Sequence, residues 1–349
     1  MHVGQARLHP KTKQALRLVL GTGISLLFLW LALRGVDWAE TWATMRRADA
    51  GLLLAALVSV LLTTGIKAAR WRLMFPPNPR KLRLRNFFGV FLIGQVINAV
   101  IPLRLGEVVR ALLIGQKEGV SKAHALWTTV TEKVLDSLVL LVFMAGISFL
   151  VPLPGWLQQA GWTLSLGIVA GFALLGLALW RKEWTLARVD ALTARYSWLG
   201  RLHLQRLFVA VVESLQLVRY PRLFWGVLGW SFGAFLMAAA TNWLVGRAIG
   251  LELGYTPSLL LLSVLQISAV VPLPTSPGRV GLFHYLCVLS LAIFGVERDV
   301  ALGYGLILHL VVYLPMAVGG PLGLWLENMD WRALSRTWQQ EVKPDSPTS

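Results

Sequence analysis

"INAVIPLRLGEVVRALL" (residues 97–113) begins as an apolar helix, meets Pro102, and then brings Arg104, Glu107 and Arg110 in quick succession. "ISAVVPLPTSPGRVGLFH" (267–284) repeats the pattern, with prolines at 272, 274 and 277 before Arg279 and His284. The opening heptads, INAVIPL and ISAVVPL, agree at five of seven positions. A proline inside a helix removes a backbone hydrogen bond and clashes with the preceding turn. At membrane depth the freed groups must be buried in protein or line a wet cavity. Two breaks at matching places, each followed by ionisable side chains, therefore decide how the rest of the chain is read.

Around these breaks the chain is strongly apolar. Of 349 residues 56% are hydrophobic and only 14% charged, with a mean hydropathy of +0.63, whereas soluble domains carry about 25% charged residues. Apolar runs recur at 18–33, 50–66, 87–103, 137–180, 223–246 and 301–326, and a spanning helix needs about 17–25 such residues. The fold class is an all-α polytopic integral membrane protein. The net charge of +16 sits in short stretches between the runs. That is how cytoplasmic loops look, and such residues meet anionic headgroups rather than nucleic acid. The single cysteine, Cys287, excludes a disulfide within the chain, and no metal-ligand spacing occurs. No phosphate-binding loop of the form GxxxxGK[ST] is present, so no cofactor is expected.

Arg7, Lys11, Lys13 and Arg17 place the segment 1–17 in the cytoplasm, and 18–33 reads as a retained signal anchor. The run 50–66 returns into the densest basic stretch, which holds seven Lys or Arg between Lys67 and Arg85. Lys67, Arg70 and Arg72 are expected there to snorkel to the inner headgroups. A re-entrant hairpin over the first break keeps Arg104, Arg110, Lys117 and Lys122 on the cytoplasmic side; full crossings would not, unless a second short helix returned at once. The resulting topology has about six full spans plus two re-entrant broken-helix hairpins, or eight spans if each broken segment crosses. A surface helix is expected over 201–220, where apolar residues fall at helical spacing. The segment 327–349 reads as a cytoplasmic tail, so both termini face the cytoplasm.

The transmembrane domain then covers 18–326, with one repeat over about 18–151 and a second over about 160–326. Three crossings separate the hairpins, so the copies are inverted. Inverted repeats whose broken helices meet near the midplane are how many secondary transporters build a substrate site. In the first copy a new helix starting near Gly106 presents free N–H groups and a positive dipole end. Asn98, Arg104 and Arg110 stand there, with Glu107 three residues before Arg110 and able to pair with it. In the second copy Thr275, Ser276, Gly278, Arg279 and His284 supply hydroxyls, a flexible turn, a cation and an imidazole. Within "TTVTEKVLDSLVLL" Glu132 and Asp136 share a helix face, and intramembrane charges of this kind default to a functional reading. His309 is a lone membrane histidine with a packing role. Asp37 and Glu40, in "DWAE", are the one tempting carboxylate pair for a membrane-embedded lipid-modifying or polyprenyl-dependent glycosyl transferase. A non-transporting accessory role in the cell envelope is the third reading.

At "RW" (70–71), "NAVIPLRLGEVVRALLI" (98–114), "TEKVLD" (131–136) and "SPGRVGLFH" (276–284) the chain resembles the flippase-like transmembrane domain of bacterial lysylphosphatidylglycerol synthases and their stand-alone relatives. The resemblance covers about 60–325. It implies a lipid-handling protein of the cytoplasmic membrane that moves an amphipathic, phospho- or polyprenyl-linked lipid headgroup across the bilayer. Partners would be such lipids, an ion gradient or an envelope-biosynthesis protein. It also implies that the aminoacylating half of the synthases, and its activity, is absent. The family usually has a glutamate where this chain has His284, a departure at a candidate site residue.

Overall fold

The computed structural model describes residues 10–100, 105–151, 155–181, 183–185, 187, 188, 191, 220–270 and 277–327. These residues are helical and joined by short turns. Helices α1 (Pro10–Leu33) and α2 (Trp38–Arg46) are followed by α3 (Ala50–Leu73) and α4 (Leu84–Val100). Next come α5 (Gly106–Glu118), α6 (Lys122–Leu150), α7 (Gly155–Trp180) and α8 (Pro221–Ala248). The chain continues through α9 (Tyr255–Val270), a 3-10 turn at Pro277–Arg279, α10 (Leu282–Ala292) and α11 (Arg298–Leu326).

Local chemistry sets several boundaries. Asp37 caps α2, its carboxylate accepting the Ala39 N–H at 2.8 Å, with Glu40 in the first turn where the helix dipole favours an anion. The "DWAE" pair is thus a helix start, and Asp37 is occupied by that bond. Asp49 caps the first turn of α3 through the Leu52 N–H at 2.8 Å, and Ser121 caps α6 through His124 N–H at 3.2 Å. Both breaks fall where the prolines put them: α4 stops at Val100 and α5 starts at Gly106, while α9 stops at Val270 and α10 starts at Leu282.

Among the described residues four helices are long and apolar enough to cross a membrane: α3, α6, α8 and α11. A fifth candidate is the pair Gly21–Leu33 and Trp38–Arg46, bent by 86°. The shorter apolar helices are Leu84–Val100, Tyr255–Ser268 and Leu282–Ala292. Four to five candidate spans with short apolar helices is a coarser picture than the six spans expected. The segment that follows 33 is helical because α2 starts at its own cap, Asp37. The surface helix expected over 201–220 lies almost wholly outside the described residues.

The chain divides into two compact units. Unit one comprises Met1–Val60, Gln95–Leu105 and Ala238–Val318; unit two comprises Leu61–Gly94, Gly106–Met237 and Gly319–Ser349. Unit one is built on a core that includes Phe283, Cys287, Leu291, Tyr304 and Leu308. Lipid is as apolar as these side chains, so helices here are held by close packing rather than by the hydrophobic effect. Gly281 (φ +91) immediately precedes α10, and an added Cβ there would strike the Ser25 carbonyl and Leu29 of α1. In unit two Trp71 packs edge-on against Phe87, centroids 4.9 Å apart, and Phe75 does the same at 5.4 Å. There α4 and α11 touch backbone to backbone, since a Cβ on Gly323 would lie 2.7 Å from the Gly89 carbonyl.

Candidate functional site

Unit two holds a chain of buried charges. Glu132 and Asp136 are one helical turn apart on α6, so one guanidinium can reach both. Arg70 of α3 does so. It is fully buried (0% exposed) and pairs with Glu132 Oε1 at 2.9 Å and with Asp136 Oδ1. Its Nη1 also donates to Ser231 Oγ of α8 at 3.0 Å. The second oxygen of Glu132 (3% exposed) accepts from Arg110 Nη2 at 2.7 Å. Glu132 therefore bridges two arginines delivered by two different helices. Isolated, each of these charges would be costly to bury; paired and hydrogen-bonded, they are held in one geometry.

Arg110 is also clamped by aromatic faces. Its guanidinium carbon lies 4.6 Å from the Trp71 ring centroid and 4.4 Å from that of Phe91, a cation–π arrangement on both sides. Trp71 is fixed in turn by its indole N–H donating to Thr128 Oγ1 at 2.8 Å. Gly94 makes room for the arginine stem, because a Cβ there would sit 2.5 Å from Arg110 Cγ. Arg110 Nε is buried with no hydrogen-bond partner among the described residues.

Glu107 does not pair with Arg110 as the sequence spacing suggests. It pairs with Lys133 Nζ at 3.5 Å, on the more open side of the α5–α6 hairpin, where Lys133 is 50% exposed. The cause is the hairpin itself: α6 packs along α5 and places Glu132 beneath Arg110. The snorkelling role expected of Arg70 is likewise replaced by burial, because α3 stays helical to Leu73 and keeps Arg70 facing α6. Lys67 lies within electrostatic range of Asp136, Arg70, Glu132 and Lys133. The whole set (Lys67, Arg70, Arg110 and Lys133 against Glu107, Glu132 and Asp136) has a formal excess of one positive charge.

Glu327, the first residue of the stretch read as a tail, is buried (2% exposed) just beyond α11, beside Lys117 Nζ at 3.3 Å. Burial pushes its carboxyl above the ordinary range, against the opposing pull of Lys117.

Unit one holds the second break. Gly278 (φ +67) and Arg279 (φ +57) both adopt left-handed backbone in the turn before α10. Arg279 Nη2 donates to Ser268 Oγ at 2.8 Å. His284, buried on α10, stacks on His309 of α11 with centroids 5.0 Å apart. Asn98 belongs to the same unit and is half-buried on α4. Arg104, Thr275 and Ser276 lie outside the described residues. Of the sequence candidates, Glu107, Arg110, Glu132 and Asp136 are gathered in unit two, while Arg279 and His284 lie in unit one.

Arg70, Trp71, Phe91 and Ser231 complete the unit-two network, and sequence reasoning does not mark them as site residues. One signal points to Arg70: two carboxylates inside a span need a buried counter-charge, and α3 supplies the nearest basic residues after an apolar run. Among the described residues no group of three or more His, Cys, Asp or Glu is arranged to hold a metal ion.

Known proteins share this sequence pattern. The family described as "Lysylphosphatidylglycerol synthase TM region" matches residues 18–320. The chain is similar to "Glycosyltransferase AglD" of Haloferax volcanii, 24% identical over 354 residues, covering 90% of this chain and 55% of that protein. It is also similar to "UPF0104 membrane protein MJ1595" of Methanocaldococcus jannaschii, 26% identical over 122 residues, covering 34% of this chain and 36% of that protein. The chain thus spans about half the length of the first of these relatives and about a third of the second. No solved structure matches it.

Proposed function

The chain belongs to the lysylphosphatidylglycerol synthase transmembrane-region family, and from that premise we propose that it moves the polar headgroup of an anionic or polyprenyl-linked lipid across the cytoplasmic membrane. The observation that carries the reading is the buried Arg70–Glu132–Arg110 chain, which includes Arg110 in the helix that restarts after the first break. Buried charge is expensive in a membrane and is retained where a polar solute must pass. Arg110 offers an unpaired N–H within a rigid aromatic clamp, and a guanidinium suits phosphate recognition. Asn98, Arg104, Thr275, Ser276, Gly278, Arg279 and His284 are assigned to the same headgroup path, with both termini and the basic stretches in the cytoplasm. A gradient or a partner would supply the energy.

The test is scrambling of headgroup-labelled phospholipids and of a polyprenyl phosphate analogue in proteoliposomes. Wild type is compared with Arg110→Ala and Arg279→Ala at equal reconstitution, with and without a proton gradient. Loss of activity in both variants is expected. Wild-type rates in Arg110→Ala would refute the reading.

One relative's name favours a second reading, glycosyl transfer to a lipid carrier. It predicts sugar incorporation from a labelled nucleotide sugar into extractable lipid, and sensitivity to the Asp37→Asn, Glu40→Gln double change. Asp37 is already engaged as the α2 cap, so that change is expected to loosen the helix start and leave headgroup movement largely intact.

A further inference from the structure

His284, His309 and Tyr313 form a pile of three nearly parallel rings in unit one. His284 and His309 are 5.0 Å apart and tilted by 16°, and His309 and Tyr313 are 4.2 Å apart and tilted by 9°. Phe283 closes the side of the pile, edge-on to His309 at 5.0 Å and 88°. His309 and Tyr313 are one turn apart on α11, and His284 is delivered by α10, so two helices build the pile. A histidine that only packs usually satisfies its ring nitrogens. Here Nδ1 of both histidines is buried with no hydrogen-bond partner among the described residues.

The 3-10 turn lies against this pile. A Cβ on Gly278 would stand 3.7 Å from His309 Nε2 and 3.7 Å from Tyr313 Cε1. Arg279 is the one non-glycine residue with left-handed backbone among the described residues, and such strain collects at functional sites. Its guanidinium reaches Ser268 Oγ at 2.8 Å and lies within electrostatic range of Tyr313. The titratable or charged groups around the histidine pair are Tyr313 of α11, stacked on His309, and Cys287 of α10, which with His284 meets Gly305; beyond them Arg279 lies within range of Tyr313 and Tyr304 within range of Cys287. To these α9 adds the Ser268 hydroxyl.

We infer that Arg279, His284, His309 and Tyr313 form a phosphate-binding subsite that is filled only when the histidine pair carries a proton. The inference rests on reading the second break as a headgroup site, and it names the ligand group and the condition for capture. One proton suits the pair. Burial makes a lone imidazolium costly here, so the proton and the anion enter together; the Tyr313 face at 4.2 Å then favours His309 as the carrier, and a second charge 5.0 Å away at His284 is opposed. An imidazolium and a guanidinium together then give charge-assisted donors to phosphate oxygens.

The test is calorimetric titration of the full chain in lipid nanodiscs with inorganic phosphate and with geranyl phosphate, at about pH 6 and about pH 8. Geranyl phosphate should bind with an affinity that falls by up to about tenfold per pH unit as the site loses its proton. His309→Phe keeps the stack but not the proton, and should bind weakly and without pH dependence. His284→Phe should reduce affinity as well, which guards against one variant that merely misfolds. Equal binding of inorganic phosphate would assign the subsite to the free ion rather than to a lipid. Absence of binding, pH-independent binding by the wild type, or full binding by His309→Phe would overturn the inference. Phosphate binding of this kind by a chain that scrambles no lipid would keep the subsite and refute transport. Scrambling with pH-independent binding would do the reverse.

Discussion

Glu132→Gln is the most informative change in unit two, because Gln keeps the shape and removes the charge that Arg70 and Arg110 share. The contacts are 2.9 Å to Arg70 Nη2 and 2.7 Å to Arg110 Nη2. Unit charges about 4 Å apart attract by about 4 kcal/mol at an effective dielectric near 20, so the two arginines together give roughly twice that. Desolvation of buried ions takes back several kcal/mol each, and removing one partner of a buried pair leaves a net loss of about 3–5 kcal/mol. At about 2 °C per kcal/mol for a large domain, the midpoint of thermal unfolding should fall by roughly 6–10 °C. The assay is intrinsic tryptophan fluorescence during heating in detergent, which reads the melting of the whole chain through its 16 tryptophans. Adding Arg110→Met to Glu132→Gln removes the arginine left without a carboxylate, while Arg70 keeps Asp136, and should recover most of that loss. A midpoint within about 2 °C of wild type in Glu132→Gln, roughly a single kcal/mol, would refute the view that this carboxylate holds both arginines.

The same geometry fixes the outcome of three other changes. Gly94→Ala places a methyl 2.5 Å from Arg110 Cγ, so Arg110 must leave its clamp; scrambling should drop about as far as in Arg110→Ala, with part of the fold's stability lost. Trp71→Phe keeps a ring under Arg110 but strips the bond to Thr128, and its measured stability should fall by about 1–2 kcal/mol. Glu327 is held above the ordinary carboxyl value of 4.5 by burial, so the folded state binds its proton more tightly than the unfolded chain does. Its presence therefore costs stability as pH rises from the ordinary carboxyl range through the raised value. Glu327→Gln should match wild type at the acid end and melt at a higher temperature toward neutrality, as unfolding scans across that range would show.

Sequence and structure agree best where the signal is local. Pro102 and the prolines at 272, 274 and 277 follow directly on the ends of α4 and α9, so both breaks and the restart at Gly106 are readable locally, whereas Pro315 and Pro321 are carried inside α11. Asp37 with Glu40 three positions later carries the signature of a helix start; reading the pair for chemistry obscures it. Partner choice is not readable. Spacing offers Glu107 to Arg110, yet the α5–α6 hairpin gives Arg110 to Glu132 and leaves Glu107 to Lys133. Likewise, the burial of Arg70 depends on α3 continuing to Leu73 against α6, a tertiary fact that charge counting along a single segment does not contain.

The two breaks share an apolar frame, INAVIPL against ISAVVPL, but differ in the side chains beyond it. After the first, a guanidinium is locked by a carboxylate and two aromatic faces. After the second, the partners are imidazoles and a phenol around a strained arginine, a set whose charge responds to one proton. Transport needs a headgroup to be captured and then released, so a path of permanently charged contacts alone would hold an anion too long. Under the proposed function, a fixed anchor at the first break and a titratable one at the second would give capture and release distinct chemical controls. On that reasoning, exchanging His309 for a permanent cation, His309→Lys, should tighten phosphate binding near pH 8 while slowing scrambling. Faster scrambling in that variant would show that release at the second break does not limit the rate.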